Sequence, residues 1–519
     1  MTMTNVNRLD ACASPEEVFI SCWEIAKGWK DAVRARVKSA SRESRKLVEN
    51  SLSIDSGPEA TRQLLALLAG DPASEHWKEM LFCIMRCIDK LFSSVHPRTR
   101  QTLPHMGGNL SLPSWLDMAD DRRADSGSYW TWDEEHLRLI PKGPLQRSCR
   151  SEFASSTDDL ADRFSCLSVV PCKASLEGRE VQIEIVHVDA SVTHGVKPTA
   201  TASGSESILF VPVAQEKADL ETTLHRLDVK SFVDYNLVSG VSITKRIRTI
   251  LPQLEKRSLD IAIAPELTVS ERDAGQLAGL LAQCDTAPRL FICGSGLTAD
   301  CDSDQHNLPW NQSHVLNGIG TVLWRQRKVM LATMSPDRAK ECAIAQHDDS
   351  STTFFENTAT GDCVVVADID SLGRCVVLIC QDLESELADT IVKRYQPDWV
   401  FTPVLDVGVD EGRWGHRRAF ALSGYSYARF LIVSSLSLAR AANKSNDTPC
   451  GMAVGPRDGL AGDAGRAVAL VNAITEEGGT HFGILTWRDD SHSWKQTTVG
   501  STQTRAGSLT DHPMTAEQP

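Results

Sequence analysis

From Ile208 onward the chain alternates short apolar runs with helical stretches, and no other feature of it narrows the available folds so far. Ile208-Leu209-Phe210-Val211-Pro212-Val213 has the length of a strand, and Leu259-Asp260-Ile261-Ala262-Ile263-Ala264 is a second. Between them Val238 to Leu254 has helical character. Ala274 to Leu281 reads as a further helix, and Arg289 to Cys293 as a further strand. A strand that is apolar on both sides has to be covered on both faces. The segment therefore predicts an α/β domain with largely buried sheets.

Upstream the texture is different. Ser14-Pro15-Glu16-Glu17 is a helix start, with an N-cap serine, proline at the first helical position and glutamate at the third. Val18, Cys22, Ile25, Trp29, Val33 and Val37 follow at helical spacing. Ser74-Glu75 opens a second helix, with Trp77, Leu81, Ile84, Ile88, Leu91 and Phe92 on one face. The tryptophans fall in these stripes and read as core anchors. Leu103 to Ser114 and Ser151 to Asp159 read as loops, Val181 to Val186 alternates like a strand, and Val196 to Ser207 has the composition of a linker. With 519 residues the chain is long enough for two or three domains. The expected division is a helical region over 1–100, a mixed region and linker over 101–205, an α/β domain over 206–490, and a polar, disordered tail over 491–519.

Composition excludes several partners. A formal net charge of −14 opposes non-specific binding of nucleic acid or anionic membranes. The basic run Lys245-Arg246-Ile247-Arg248 reads as the solvated face of a helix. There is no apolar run near the ~20 residues of a membrane span, and Met1 to Ala13 is too polar for a signal peptide. Fifteen scattered cysteines, many inside apolar segments, read as reduced thiols of a cytoplasmic protein. No CxxC occurs, and His306 and His314 lack ligand spacing, so no metal and no cofactor is expected. Gly294-Ser295-Gly296 is too short for a nucleotide fingerprint and reads as a turn.

Three reactive side chains follow buried strands. Glu266 closes Ile261-Ala262-Ile263-Ala264-Pro265, and Lys328 ends a hairpin-like strand that begins after the turn Asn317-Gly318. Cys380 ends Cys375-Val376-Val377-Leu378-Ile379 and opens a helix expected to run to about Tyr395. A cysteine at such an elbow faces the helix's free N–H groups, which lower a thiol pKa and supply oxyanion donors. A free thiol is mostly protonated near neutrality and needs a base. A carboxylate raised by desolvation can take that proton and later activate water. Lysine can hold the charge that develops on a carbonyl oxygen, alongside the Gln381 N–H. Together the three residues describe thioester formation and hydrolysis without a histidine.

In this order the residues resemble the nitrilase superfamily of carbon–nitrogen hydrolases, from Ile208 to about Trp487. Ala264-Pro265-Glu266-Leu267 resembles the family's glutamate site. Trp324-Arg325-Gln326-Arg327-Lys328-Val329-Met330-Leu331 resembles its lysine segment, and Val377-Leu378-Ile379-Cys380-Gln381-Asp382-Leu383 its nucleophile segment. Pro397 to Pro403 resembles the pocket-lining strand, and Trp414 with Arg417-Arg418-Ala419 the helix that comes after it. The resemblance implies a four-layer α–β–β–α sandwich preceded by a mainly helical N-terminal region, and catalysis by Glu266, Lys328 and Cys380. It places Gln381, Pro403 and Trp414 at the oxyanion site and pocket. It also implies hydrolysis of a small amide, ureide or nitrile, and assembly as a homodimer or larger homo-oligomer.

The sequence departs from the family text at several positions. Met330 stands where the family usually has histidine, Gln381 where it often has tyrosine, and Ala421-Leu422 where the helix usually carries Glu-Asn. Many members have a second glutamate shortly after the lysine. Here the nearest is Glu341, the candidate for that role. The missing second glutamate and the long N-terminal extension support a rival reading: a nitrilase-like module of little or no activity, used for binding or assembly in a defence or signalling system. In that reading the N-terminal region docks another protein.

Overall fold

The computed structural model describes residues 8–496 except 31–32, 35–36, 103–111, 133–135, 144–159, 190–203, 228–229, 239, 255–258, 285–286, 343, 345–352, 371, 445–447, 457–465 and 476–480. The loop expected at 151–159, most of the loop at 103–114, the linker over 196–203 and the expected tail beyond 496 lie outside the described residues, whereas the start of that 491–519 tail is ordered, because Ser493–Gln496 pairs as a strand with His481–Arg488.

The N-terminal unit is built on local signals. Ser14 caps the helix Pro15–Lys27, its side chain accepting from the Glu17 N–H while Glu17 reaches back to the Ser14 N–H. That helix is shorter than the sequence stripe, so Trp29, Val33 and Val37 lie beyond its end. Ser74 caps Glu75–Phe92, whose Trp77, Leu81, Ile84, Ile88 and Phe92 are buried. These helices share one core with Arg42–Leu52, Gly57–Leu67, Ser114–Ser126 and an antiparallel three-stranded sheet (Trp130–Trp132, Leu137–Pro141, Leu167–Pro171).

The rest is a four-layer α–β–β–α sandwich. Among the described residues one sheet has nine strands and runs Gly296–Asp302, Leu308–Asn317, Leu290–Ile292, Ile261–Ile263, Ser207–Phe210, His481–Arg488, Ile474–Thr475. Val322–Arg327 pairs with the second of these strands and Ser493–Gln496 with the sixth. The other sheet has eight and runs Ala467–Val471, Gly451–Gly455, Arg429–Ser434, Trp399–Val404, Gly373–Val377, Cys363–Ile369, Arg179–Val188, Lys173–Leu176. Strand alternation sorts the layers. Ile208, Phe210, Ile261, Ile263, Leu290 and Ile292 face the second sheet. Leu209, Ala262 and Phe291 face outward, onto the helices Ile243–Leu254 and Glu271–Gln283. Leu387, Ile391, Tyr395, Ala419 and Leu422 cover the far side of the second sheet from the segments after Cys380 and Arg413.

Two features depart from the sequence reading. The sandwich does not begin at 206, because Lys173–Leu176 and Arg179–Val188 belong to its second sheet. The alternating strand seen at 181–186 pairs in parallel with Cys363–Ile369, far along the chain, so nothing local announces where it belongs. The N-terminal unit packs directly on this added strand. Gly127, at φ 75, lets the end of Ser114–Ser126 approach so closely that a Cβ would lie 2.4 Å from Ile185 Cγ2. Among the described residues a separate four-stranded sheet, Thr333–Met334, Thr353–Glu356, Lys230–Leu237 and Leu220–Leu227, shares a small core with Leu267, Val407 and Leu438 through Val233, Tyr235 and Phe354.

Candidate active site

Glu266 stands just past the strand Ile261–Ile263, in a loop held by backbone. Ser295 N–H donates to the Pro265 carbonyl at 3.1 Å, and Thr268 N–H to the Ser295 carbonyl at 2.8 Å. Gly294 makes this approach feasible: at φ 63, any Cβ there would meet the Pro265 oxygen at 2.0 Å. The Gly294-Ser295-Gly296 turn therefore braces the glutamate.

Lys328 follows the strand Val322–Arg327, its N–H donating to the Asn311 carbonyl at 2.8 Å. Its side chain is 1% exposed and lies between two carboxylates. Nζ donates to Glu266 Oε1 at 2.7 Å and to Glu356 Oε2. Burial alone would push the ammonium down, but the two carboxylates outweigh it and hold Lys328 well above an ordinary lysine. Asn311 completes the set. Its Nδ2 donates to Glu266 Oε1 at 3.0 Å and to Glu356 Oε1 at 2.8 Å. The opposite amide orientation would set Oδ1 against both carboxylates, so the chemistry fixes which way Asn311 points. The Leu405 N–H donates to Glu266 Oε2 at 3.0 Å.

Cys380 sits at the turn after Gly373–Val377 with φ 50, a left-handed conformation uncommon for a residue with a side chain. Its thiol lies beside the Glu266 carboxylate. Beyond it the chain does not form the single helix expected to Tyr395. It makes a 3₁₀ turn Cys380–Glu384, a short α-helix Glu386–Thr390 capped by Ser385, and a π turn Ile391–Tyr395. The expected lowering of the thiol pKa is also absent. Burial, then the adjacent Glu266 carboxylate, push the Cys380 thiol well up, and a single 3₁₀ turn does not compensate. Burial likewise raises Glu266, with Lys328 pulling it back. The resting pair is a neutral thiol beside a carboxylate poised to accept its proton.

Asp382 braces the lysine loop against the cysteine turn. Oδ1 accepts from the N–H groups of Val329 at 3.1 Å and Met330 at 2.8 Å, and Oδ2 from the Ile379 N–H at 3.0 Å. Burial raises this carboxyl to about 7. From the other side Arg418 holds the same turn, donating to the Leu383 and Ser385 carbonyls at 2.9 Å each. Met330, in the position usually filled by histidine, thus serves this brace through its backbone.

These groups wall a cavity of about 240 Å³ that Cys380, Glu266, Lys328, Glu356, Gln381 and Trp414 all line. Two candidates fall elsewhere. Pro403 lies inside the strand Trp399–Val404, opposite Val433 of the neighbouring strand, and it is Leu405 and Asp406 just beyond that reach the cavity. Glu341 does not touch Lys328. It pairs with Arg338 and, at 3.6 Å, with Arg413, because the helix Pro336–Glu341 carries it to the rim. The second glutamate is Glu356. It arrives on the four-stranded sheet, well beyond the lysine segment, and no local motif marks it; nor does any mark Asn311. Among the described residues no group of three or more His, Cys, Asp or Glu could hold a metal ion, and no helix is long and apolar enough to cross a membrane.

No protein-family model and no curated protein sequence matches the chain. Solved structures do. Nit3 of Saccharomyces cerevisiae, a member of branch 10 of the nitrilase superfamily, is similar at 12% identity and a TM-score of 0.34, over 57% of this chain and 94% of that one. An amidase from Nesterenkonia sp. is similar at 14% identity and 0.32, over 56% and 94%. The Caenorhabditis elegans NitFhit protein is similar at 12% and 0.31, over 56% of this chain and 62% of its own. The four-layer sandwich implied by the sequence resemblance is the fold this chain adopts, and these solved chains similar to it are nitrilase-superfamily members and amidases.

Proposed function

We propose that this chain hydrolyses a carbon–nitrogen bond of a small amide or ureide, or less readily a nitrile, through a thioester on Cys380. The sulfur attacks the carbonyl carbon while its proton passes to Glu266. Lys328 Nζ and the Gln381 N–H, at the start of the turn, hold the oxyanion; one such donor is typically worth ~3 kcal/mol of barrier. As the tetrahedral adduct collapses, Glu266 returns the proton to the leaving nitrogen and the C–N bond breaks. Water then attacks the thioester, giving its proton to Glu266, and the acid leaves as the thiol is restored.

One observation carries this reading: a lysine fixed between two carboxylates in the wall of a cavity that also contains the cysteine. Glu356 fills the place whose apparent vacancy favoured an inactive binding module. Assembly as a homodimer or larger homo-oligomer belongs to the same proposal and is checked by light scattering. The chemistry is checked by incubating the protein with short primary amides, measuring ammonia, and looking for an acyl adduct by intact mass. The expected result is both signals in the wild type and neither in Cys380→Ala. Ammonia that persists in Cys380→Ala, or neither signal in the wild type, rejects the proposal.

A further inference from the structure

Resting on that reading of the site, we infer that its cavity selects neutral acyl groups bearing one hydrogen-bond acceptor, which Tyr235 binds, and disfavours acyl groups ending in a carboxylate. Tyr235 comes from the four-stranded sheet, on the strand Lys230–Leu237, where none of the motifs that carry the sequence resemblance falls. Ser231, Val233 and Tyr235 alternate onto its buried side, and Val233 lies opposite Glu356 on the neighbouring parallel strand. One small sheet therefore delivers both the second glutamate and a phenol to the cavity. Tyr235 is 8% exposed, lines the cavity and makes no hydrogen bond among the described residues. Its hydroxyl has no partner among those residues and is not sealed from the cavity, so an acceptor on the substrate can take its hydrogen bond in place of water. Burial and the neighbouring Cys342 and Glu356 keep the phenol protonated well above its ordinary range, so it serves as a neutral donor.

The walls set the remaining preference. Leu267, Leu405 and Leu438 are apolar. The cationic groups that line the cavity are already engaged. Arg338 is pinned by Asp406 and Glu341, and Lys328 by Glu266 and Glu356. Asp406 in turn also accepts from Arg413 at 3.2 Å and from Trp414 Nε1 at 2.8 Å. A carboxylate on the acyl chain would meet two glutamates around one lysine and no uncommitted cation, and like charges in a low-dielectric pocket are costly. A hydroxyl, ether or keto oxygen meets only the phenol.

The test uses three primary amides of matched length: pentanamide, its terminal hydroxyl analogue and glutaramic acid. Two readouts are taken on the whole protein, protection of Cys380 from iodoacetamide and release of ammonia. The expected order of protection is hydroxyl, alkyl, carboxyl, with the hydroxyl analogue effective at about tenfold lower concentration than pentanamide. Tyr235→Phe, which removes only the unpartnered hydroxyl, should erase that tenfold advantage, so that on the variant itself the hydroxyl and alkyl amides protect at the same concentration. Tyr235→Leu, a second variant in case the first is unstable, should do the same. Equal protection by the alkyl and hydroxyl amides, an advantage that survives in Tyr235→Phe, or best protection by glutaramic acid overturns the inference, as does no protection by any of the three. The expected ranking without ammonia supports the pocket chemistry while rejecting hydrolysis, so the two readings fail separately.

Discussion

The N-terminal unit and the sandwich both bury acids, and they surround them differently. Asp89, on the helix Glu75–Phe92, accepts four hydrogen bonds from one short stretch: the N–H and hydroxyl of Ser165, and the N–H groups of Cys166 and Leu167, all between 2.9 and 3.0 Å. Each oxygen is used up by backbone or hydroxyl donors, and the result fixes where the strand Leu167–Pro171 begins. Glu266 is as deeply buried, yet its partners are a lysine, an asparagine and one backbone N–H, a thiol lies beside it, and it borders a cavity. A carboxylate saturated by backbone holds a shape. A carboxylate shared with a titratable thiol beside open space can move a proton.

The largest expected effect tests that contrast at the sandwich. Glu266→Gln keeps the shape and a hydrogen-bonding group but cannot take the Cys380 proton. It should lower amide turnover roughly a hundred- to ten-thousand-fold, with little change in the melting midpoint, since Lys328 keeps Glu356. A large loss of stability with turnover retained would make Glu266 an architectural acid like Asp89. This residue, Lys328 and Cys380 were legible in the sequence because each stands at the end of a strand whose apolar run is visible locally. Glu356 and Asn311 were not. Glu356 lies on the four-residue strand Thr353–Glu356, placed by parallel pairing with Lys230–Leu237, and Asn311 lies in a strand of mixed polarity. Their roles depend on pairings between distant segments, as does the entry of Arg179–Val188 into the second sheet. Local periodicity carries no record of such pairings.

Asp89→Ala should show the converse. Removing the carboxylate strands four donors in a buried corner, a loss of about 3 kcal/mol by denaturant unfolding. Turnover per folded molecule should stay at the wild-type level. A fall in turnover with unchanged stability would mean that the N-terminal unit acts on the site rather than packing beside it.

Asn311→Ala is a smaller perturbation with a definite sign. Its amide donates to both carboxylates, favouring their charged forms, so its loss raises Glu266 further above its already elevated position. The base must be ionised to act, so the acid limb of the pH–rate profile should move to higher pH, with turnover near neutrality down on the order of tenfold. A limb that stays in place or moves to lower pH would show that Asn311 does not set the ionisation of the pair.

The smallest effect concerns Glu16, a second buried acid of the N-terminal unit. Among the described residues its cationic partner is Arg122. Burial raises its carboxyl to about 7, with Arg122 pulling it down. A folded-state pKa above the unfolded value means that the folded chain holds this proton more tightly. The associated stability is therefore complete below about pH 4 and is lost as pH rises towards 7. Glu16→Gln has no proton to lose. The melting midpoint of the variant relative to wild type should thus climb between pH 5 and pH 8, while turnover follows the wild-type profile. A difference that stays flat across that range would mean the Arg122 pair holds Glu16 ionised in the folded chain. Glu16 would then be a second buried acid kept charged by its surroundings, and the contrast with Glu266 would rest on the cavity and the thiol rather than on burial.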